Sequence, residues 1–329
     1  MNFKNNILET IGKTPLVRLN RINEGLLPLI LAKLESFNPG GSSKDRIAVA
    51  MMEAAEQEGL LKPGGTIVEP TSGNTGLGLA QAAILRGYRV IFTMPDKMSQ
   101  EKEDVLKAYG AEVIRTPTEV DADDPRSYYK VAERLLKEIP DSFSPNQYFN
   151  RNNPSAHYRS TGPEIWEDTE GKITHFVAGI GTGGTISGTA KYLKEKNPDI
   201  RIIGVDTEGS LYEDYFKHRK TKVHAYLTEG IGEDFIPPIV QFDSIDDIIS
   251  VSDYDAYATA RRLVREEAIF SGSSAGAAVF AGLQLARELS PRDVMVILLP
   301  DNGKNYLSTL YNDTWMREKG LLEALTVSS

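Results

Sequence analysis

The sequence predicts an α/β protein of two lobes, each with a twisted, mostly parallel sheet covered by helices. Three observations predict this fold class. Short β-branched and aliphatic runs alternate with amphipathic helical stretches, which is typical of parallel sheets with helices on both faces. Loops of small residues follow two of the predicted strands, where ligands bind in such sheets. The length of 329 residues favours two lobes over one.

Strands are predicted where short apolar runs are bounded by turn residues. Six runs are expected to be buried strands: residues 66–69, 89–94, 112–115, 174–178, 201–206 and 294–299. Because helical stretches separate these runs along the chain, the strands are expected to lie parallel.

Two of the intervening helices have recognisable starts. Asp124 and Pro125 are predicted to be the N-cap and the first residue of one helix. Its inward face is expected to consist of Tyr128, Val131, Leu135 and Ile139. Ser252 and Asp255 are predicted to open a second helix. Its inward residues are expected to be Ala256, Ala260, Leu263 and Val264.

Composition excludes several classes of function. The net charge of −9, without a clustered basic surface, argues against nucleic-acid binding. The absence of cysteine excludes disulfides and a cysteine nucleophile, and the four histidines lack the spacing of a metal site. No apolar stretch approaches the roughly 18 residues of a membrane span, and the amino terminus lacks a signal-peptide core. We therefore expect a soluble, cytoplasmic protein without a metal, membrane or nucleic-acid partner.

The candidate reactive group is Lys44, which follows the loop Gly-Gly-Ser-Ser at residues 40–43 where a helix begins. Three more small-residue loops occur at residues 71–76 (TSGNTG), 179–185 (GIGTGGT) and 271–278 (SGSSAGAA). Such loops let backbone N–H groups approach an anion closely. A lysine acts as a nucleophile only when desolvation or nearby positive charge lowers its pKa. Together the loops predict a compact anionic cofactor held against one reactive amine.

Two motifs suggest other activities. Gly179-x-Gly181-x-x-Gly184, with Asp206 at the end of the next strand, matches a dinucleotide-binding fingerprint and keeps an NAD-dependent dehydrogenase as an alternative. However, Thr182 and Thr185 suit a single terminal phosphate, and a nicotinamide cofactor leaves Lys44 without a role. The sequence at residues 272–276 matches a hydrolase nucleophile elbow, but no histidine follows it, so that interpretation fails.

With these loops in combination, the chain resembles the fold-type II pyridoxal-phosphate (PLP) enzymes of the cysteine synthase and cystathionine β-synthase family from about residue 7 to residue 320. The resemblance implies the tryptophan synthase β-like fold and a pyridoxal 5′-phosphate cofactor. It implies that Lys44 is the Schiff-base lysine, that Asn74 bonds the cofactor's phenolic oxygen and that Ser274 contacts the pyridine nitrogen. The implied phosphate cradle is Gly181, Thr182, Gly183, Gly184 and Thr185. The positions implied to bind the substrate carboxylate are Thr71, Ser72, Asn74, Thr75 and Gln147.

Within the family the resemblance favours a compact bacterial-type cystathionine β-synthase core, which joins L-serine to L-homocysteine with loss of water. The alternatives are a cysteine synthase using O-acetylserine and sulfide, and a β-replacement on cysteine that releases H₂S. Glu233 stands where animal enzymes have an aromatic residue. We expect Glu233 or Asp234 to face the cleft and hold the amino group of homocysteine, since a carboxylate can receive an ammonium.

The resemblance also implies the organisation of the chain. Residues 39–145 are expected to form the smaller, mobile lobe that carries Lys44, and residues 1–38 with 146–329 the larger lobe with the phosphate loop. A proline- and asparagine-rich stretch at residues 145–154 is the expected crossing between the two. A homodimer is expected on the same grounds.

Overall fold

The computed structural model describes residues 1–322 except 2, 72, 97, 99 and 122, and gives only the backbone of residue 101. The described strands form two sheets. A six-stranded sheet has the order β1-β2-β10-β7-β8-β9, and a four-stranded sheet has the order β5-β4-β3-β6. The strands are β1 Leu16–Arg18, β2 Leu29–Leu34, β3 Thr66–Pro70, β4 Arg89–Pro95, β5 Glu112–Thr116, β6 Ser142–Phe143, β7 His175–Gly179, β8 Arg201–Thr207, β9 Asp247–Val251 and β10 Val294–Leu299.

The strand pairs are parallel except for β1, which lies antiparallel to β2 at the edge of the larger sheet. The α-helices are α1 Lys44–Gln57, α2 Asn74–Arg86, α3 Gln100–Ala108, α4 Tyr128–Glu138, α5 Asn152–Arg159, α6 Thr161–Asp168, α7 Gly184–Lys196, α8 Tyr212–Phe216, α9 Asp253–Glu267, α10 Ser273–Ala286 and α11 Asp313–Glu318. Across the described residues, no helix combines the length and apolarity that a bilayer span requires.

All six predicted strands are confirmed, each within one residue at either end. Five of them are mostly buried along their length, whereas β5 is mostly half-buried. Runs of this kind are recognisable from local pattern alone. Four shorter or more polar strands were not predicted: β1, β2, β6 and β9. One of them, β2, contains Lys33, whose side chain is fully buried in ion pairs with Glu164 and Asp168. A buried lysine interrupts the apolar pattern on which strand prediction depends.

The predicted start of α4 is wrong by three residues. The helix begins at Tyr128, and the N-cap is Ser127, whose hydroxyl accepts the N–H of Lys130. Asp124 instead belongs to a turn, where its carboxylate accepts the N–H of Arg126 and its carbonyl accepts the N–H of Ser127. Because the Asp124 carboxylate takes part in this turn, it does not cap the helix. The inward face is confirmed for Val131, which is buried.

The predicted α9 is confirmed, with Ser252 as its N-cap and Ala256, Ala260 and Leu263 buried. Helix α10 packs directly against it. A side chain at Gly276 would clash with the backbone carbonyl of Ala256, so the glycine permits this close approach. Helix α10 also contacts β7, β8, β9 and β10 of the larger sheet.

Candidate active site

A cavity of about 830 Å³ lies at the carboxyl ends of strands from both sheets. This is the edge at which parallel sheets commonly bind ligands. The structure brings together on its wall most of the predicted site residues: Lys44, Thr71, Asn74, Thr75, Gln147, Gly181, Thr182, Ser274 and Glu233. Ser72 lies outside the described residues. The three small-residue loops that follow Lys44 in the sequence therefore converge on the same space as Lys44.

Lys44 is the first residue of α1, and its loop is joined to the end of β10. The N–H of Ser43 donates to the carbonyl of Pro300 over 2.9 Å, and Ser42 forms a β-bridge with Asp301. Burial lowers the pKa of Lys44, although the negative charges of Asp301 and Glu35 oppose this effect. A lysine of lowered pKa is unprotonated for a larger fraction of the time and can act as a nucleophile or base.

Beneath α1 lies a cluster of buried ions. Arg46 Nε is 2.7 Å from Glu35 Oε2, and Arg46 Nη1 is 2.7 Å from Glu164 Oε1. The Arg46 and Glu35 side chains are 2% and 0% exposed. Burial disfavours the Glu35 carboxylate, but the Arg46 guanidinium outweighs this and lowers the pKa of Glu35 to about 2. These ion pairs fix the first turn of α1, and therefore Lys44, beside Glu35, which directly follows β2 of the larger sheet.

The predicted phosphate loop leads into α7. Gly183 is the N-cap of α7 with φ +84°, a left-handed conformation that favours glycine. Gly181 lies so close to Gly230 that an added Cβ would be 2.5 Å from the Gly230 carbonyl oxygen. Gly181 and Thr182 line the cavity, whereas Gly183, Gly184 and Thr185 are not among the described lining residues and occupy the start of α7. The free N–H groups at a helix start favour an anion.

The side chains of Asn153 and His157 form hydrogen bonds with the hydroxyl groups of the predicted phosphate loop. Asn153 Nδ2 donates to Thr182 Oγ1 over 3.0 Å. His157 Nε2 is 3.2 Å from Thr185 Oγ1, and its Nδ1 is 2.8 Å from Thr161 Oγ1. Burial, with the charge of Arg46, lowers the pKa of His157 to about 3. His157 is therefore neutral and positions the Thr185 hydroxyl without adding charge.

Asp206, the acidic residue of the dinucleotide fingerprint, has a structural role. Its carboxylate accepts the N–H groups of Thr207 and Glu213 over 2.9 Å each. It is buried and joins the end of β8 to α8. The geometry therefore gives no support to a ribose contact at this residue.

The predicted carboxylate-binding residues lie around the start of α2. Thr75 Oγ1 donates to Gln147 Oε1 over 2.7 Å. The backbone N–H groups of Asn146 and Gln147 donate to the buried carboxylate of Glu69 at the end of β3. This holds Gln147 beside the free N–H groups of α2, which offer donors to a carboxylate.

Ser274 lies in the first turn of α10 and is 2% exposed. Its neighbour Ser273 accepts the N–H of Glu229 over 3.1 Å, which ties α10 to the loop that continues to Glu233. A Cβ on Gly230 would lie 3.7 Å from the Ser274 hydroxyl oxygen, so Gly230 leaves that side of the hydroxyl open.

The structure distinguishes Glu233 from Asp234, the two carboxylates between which the sequence could not choose. Glu233 lines the cavity, half-buried, and its Oε1 accepts the hydroxyl of Tyr148 over 2.6 Å. Burial raises the pKa of Glu233 to about 7, with a further contribution from Asp234. Asp234 itself is exposed and is not among the described residues of the cavity wall. Glu233 is therefore the carboxylate that can meet a ligand.

Sequence reasoning missed Asp301, which follows β10 and is 2% exposed on the cavity wall. Its Oδ2 accepts Asn74 Nδ2 over 2.9 Å and the Tyr306 hydroxyl over 2.5 Å. Burial raises its pKa, and the positive charge of Lys44 opposes that rise. The signal in the sequence was an aspartate two positions after a wholly apolar strand, at the edge where ligands bind.

Several known proteins are similar to this chain. The model of the family described as "Pyridoxal-phosphate dependent enzyme" matches residues 7–301. A protein of Oryctolagus cuniculus named cystathionine beta-synthase is 50% identical over 319 residues, 96% of this chain and 58% of that protein. The chain spans less than two thirds of the length of six curated relatives that it matches, each named cystathionine beta-synthase.

Two solved structures are similar over almost all of both chains. One is a hydrogen sulfide-producing enzyme from Fusobacterium nucleatum, with 38% identity, a TM-score of 0.86 and coverage of 93% of this chain and 98% of that one. The other is an O-ureido-L-serine synthase, with 36% identity, a TM-score of 0.87 and coverage of 96% of this chain and 100% of that one.

Proposed function

Because the chain belongs to the family of pyridoxal-phosphate-dependent enzymes, with pyridoxal 5′-phosphate as its cofactor, we propose that it is a cystathionine β-synthase. In this proposal it joins L-serine to L-homocysteine and releases water. The observation that carries the choice of second substrate is Glu233, a half-buried carboxylate on the cavity wall. Homocysteine brings an ammonium to this cavity and sulfide does not. The 50% identity to named cystathionine β-synthases supports the same choice.

The cavity has the donors that this cofactor needs. The glycine loop at the start of α7 suits its phosphate, since the close approach of Gly181 and Gly230 leaves no room for side chains there. The amine of Lys44, with its lowered pKa, suits a covalent link to an aldehyde. The neutral hydroxyl of Ser274 suits a pyridine nitrogen that is not held protonated. We propose these roles, together with Asn74 at the phenolic oxygen.

When bound, the cofactor supplies an electron sink for negative charge that develops at the substrate's Cα. Lys44 does the proton transfer in the proposed mechanism. Once the amino group of serine has replaced it at the aldehyde carbon, the freed Lys44 Nζ would take the Cα proton of serine and, as an ammonium, deliver it to the departing β-hydroxyl oxygen. Hydroxide is a poor leaving group, so protonation at that oxygen is required. Thr71, Thr75 and Gln147 are proposed to hold the serine carboxylate during these steps.

Glu233 is proposed to bind the second substrate. A carboxylate held by the Tyr148 hydroxyl presents its remaining lone pairs to the cavity. An incoming ammonium favours the ionised form of Glu233, whose pKa burial has raised to about 7. This arrangement selects a thiol that carries an amino group.

A second function, β-replacement that releases hydrogen sulfide, is favoured by the structural neighbour named as a hydrogen sulfide-producing enzyme. The discriminating experiment compares kcat/KM of the purified protein for three reactions. These are serine with homocysteine, O-acetylserine with sulfide, and H₂S release from cysteine. The proposal expects the first to be fastest. A clear preference for O-acetylserine with sulfide moves the assignment to cysteine synthase, and a preference for cysteine moves it to an H₂S-producing enzyme.

We also propose that residues 39–145 form a smaller lobe that closes on the cavity and excludes water. The four-stranded sheet falls within this segment. However, the buried ion pairs of Arg46 cross the segment's boundary to Glu35 and Glu164. We therefore propose that closure leaves α1 and Lys44 in place. A cytoplasmic homodimer is proposed from the resemblance to the family, and light scattering of the purified protein tests the dimer.

A further inference from the structure

The carboxamide of Asn74 is held from both sides by side chains beyond the last strand. Asp301 Oδ2 accepts a hydrogen bond from Asn74 Nδ2 over 2.9 Å. On the other side, Asn305 Nδ2 donates to Asn74 Oδ1 over 3.1 Å. Both partners lie more than 200 positions away in the sequence, since the two separations are 227 and 231 residues.

A carboxamide has two orientations that differ by exchange of its oxygen and nitrogen, and its neighbours decide between them. An ionised carboxylate can only accept hydrogen bonds, so the group beside Asp301 has to be the NH₂ of Asn74. The NH₂ has two N–H groups. One donates to Asp301, and the other has no acceptor among the described residues, while Asn74 lines the cavity.

We propose that Asp301 is a positioning residue that turns the Asn74 NH₂, rather than its carbonyl oxygen, toward the phenolic oxygen of the bound cofactor. A donor there favours the ionised phenolic oxygen, whereas a carbonyl oxygen would repel it. Asp301 therefore sets the ionisation state of the cofactor through Asn74. The inference rests on the role proposed for Asn74 above, but not on the choice of substrate.

Burial and the negative charge of Glu229 raise the pKa of Asp301. The hydrogen bonds that Asp301 Oδ2 accepts from the Tyr306 hydroxyl and Asn74 Nδ2 oppose that rise and stabilise the ionised form. Glu229 is itself paired with Lys102, whose Nζ is 2.6 Å from Glu229 Oε2, which reduces the contribution of Glu229 to that rise.

A double-mutant cycle on the holoenzyme tests the inference. The variants are N74A, D301A and N74A/D301A. A fourth variant, D301N, keeps the side-chain volume of Asp301, but its carboxamide can also donate a hydrogen bond. The readouts are the visible absorption spectrum of the bound cofactor from pH 6 to pH 9 and the dissociation constant of the cofactor. We expect N74A and D301A each to shift intensity toward the shorter-wavelength form with a protonated phenolic oxygen. Each should weaken cofactor binding on the order of tenfold.

The double mutant should be no worse than N74A, because Asp301 acts through Asn74. D301N should shift the spectrum in the same direction by a smaller amount. The matched control is D293N, at the amino end of the same strand, where Asp293 accepts the N–H of Ser290 outside the cavity. It should keep the parent spectrum.

Three results would overturn the inference. Additive spectral shifts in the double mutant would show that Asp301 acts independently of Asn74. An unshifted spectrum in D301A and D301N, with only a loss of stability, would make Asp301 structural. An unshifted spectrum in N74A would remove the role of Asn74 itself, whichever substrate the enzyme uses.

Discussion

The cavity has two walls of different construction. The inner wall contains Lys44, Ser274 and Asp301, and the outer wall contains Lys102, Glu229 and Glu233. On the inner wall, Ser274 and Asp301 are each 2% exposed, and the loop before Lys44 is joined to β10 by backbone contacts. On the outer wall, α3 meets the loop that carries Glu229 through an ion pair whose side chains are 15% and 38% exposed. Buried, backbone-linked groups resist displacement, whereas a partly exposed ion pair contributes little to the free energy of folding. The inner wall is therefore suited to a permanent cofactor and the outer wall to substrates that enter and leave.

The carboxylates of the two walls follow the same division. On the inner wall, Asp301 Oδ2 accepts hydrogen bonds from Asn74 and Tyr306. Glu233 on the outer wall accepts from Tyr148 and still lines the cavity. Substitutions on the inner wall should impair cofactor binding, chemistry or stability. Those on the outer wall should change substrate affinity.

The largest effect is expected from Lys44→Ala on the inner wall. Loss of the proposed nucleophile and base should lower turnover of serine with homocysteine by at least about 10³-fold. The measurement is steady-state turnover with saturating cofactor. Lys62→Ala is the control, since Lys62 is 64% exposed and paired with Asp141. Near-normal turnover in Lys44→Ala without added amine would contradict the assignment.

Arg46→Met should have the next largest effect, on stability. It removes the partner of the buried Glu35 carboxylate, and such a loss costs about 3–5 kcal/mol of unfolding free energy. Arg89→Met is the matched control, because its pair with Glu112 is about half exposed, with side-chain exposures of 51% and 53%. That change should cost about 0–1 kcal/mol. Urea unfolding measures both, and equal losses in the two variants would rule out a special contribution of the buried cluster.

On the outer wall, Glu233→Gln should raise the KM for homocysteine about 10- to 100-fold at pH 8, with little change for serine. The parent should lose this advantage as pH falls through about 7, the raised pKa at which Glu233 becomes protonated. The ratio of the two KM values isolates this effect from the titration of the substrate thiol. Asp234→Asn, at an exposed carboxylate, is the control and should behave like the parent. A KM ratio that stays near one at pH 8 would reject ammonium recognition by Glu233.

The smallest effect is expected from Lys102→Met, which breaks the ion pair with Glu229. Because that pair is partly exposed, the unfolding free energy should fall by less than about 1 kcal/mol. The KM for the second substrate should rise by about two- to fivefold if the pair helps to close the cavity. Urea unfolding and steady-state kinetics measure the two quantities. A rise in KM greater than tenfold would place the outer wall among the rigid parts of the site.

Local pattern was enough to predict the inner wall in outline. Apolar runs identified six strands, and the loops after them identified Lys44, Asn74, Gly181 and Ser274 as cavity residues. These features depend on neighbouring residues, because the alternation of strands and helices and the freedom of glycine are properties of short segments. The start of α4 was missed because both Asp124 and Ser127 can cap a helix or a turn.

The sequence by itself determined the parallel α/β architecture and predicted that Lys44 and the small-residue loops form one site. Only the tertiary structure decided that Glu233 and not Asp234 lines the cavity, and that Asp301 accepts a hydrogen bond from Asn74. The physical reason is distance along the chain. Residues 74 and 301 are 227 positions apart, so their hydrogen bond exists only once the packed sheets and helices bring two strand ends together. Adjacent acidic residues such as Glu233 and Asp234 have the same local pattern, and burial alone distinguishes them.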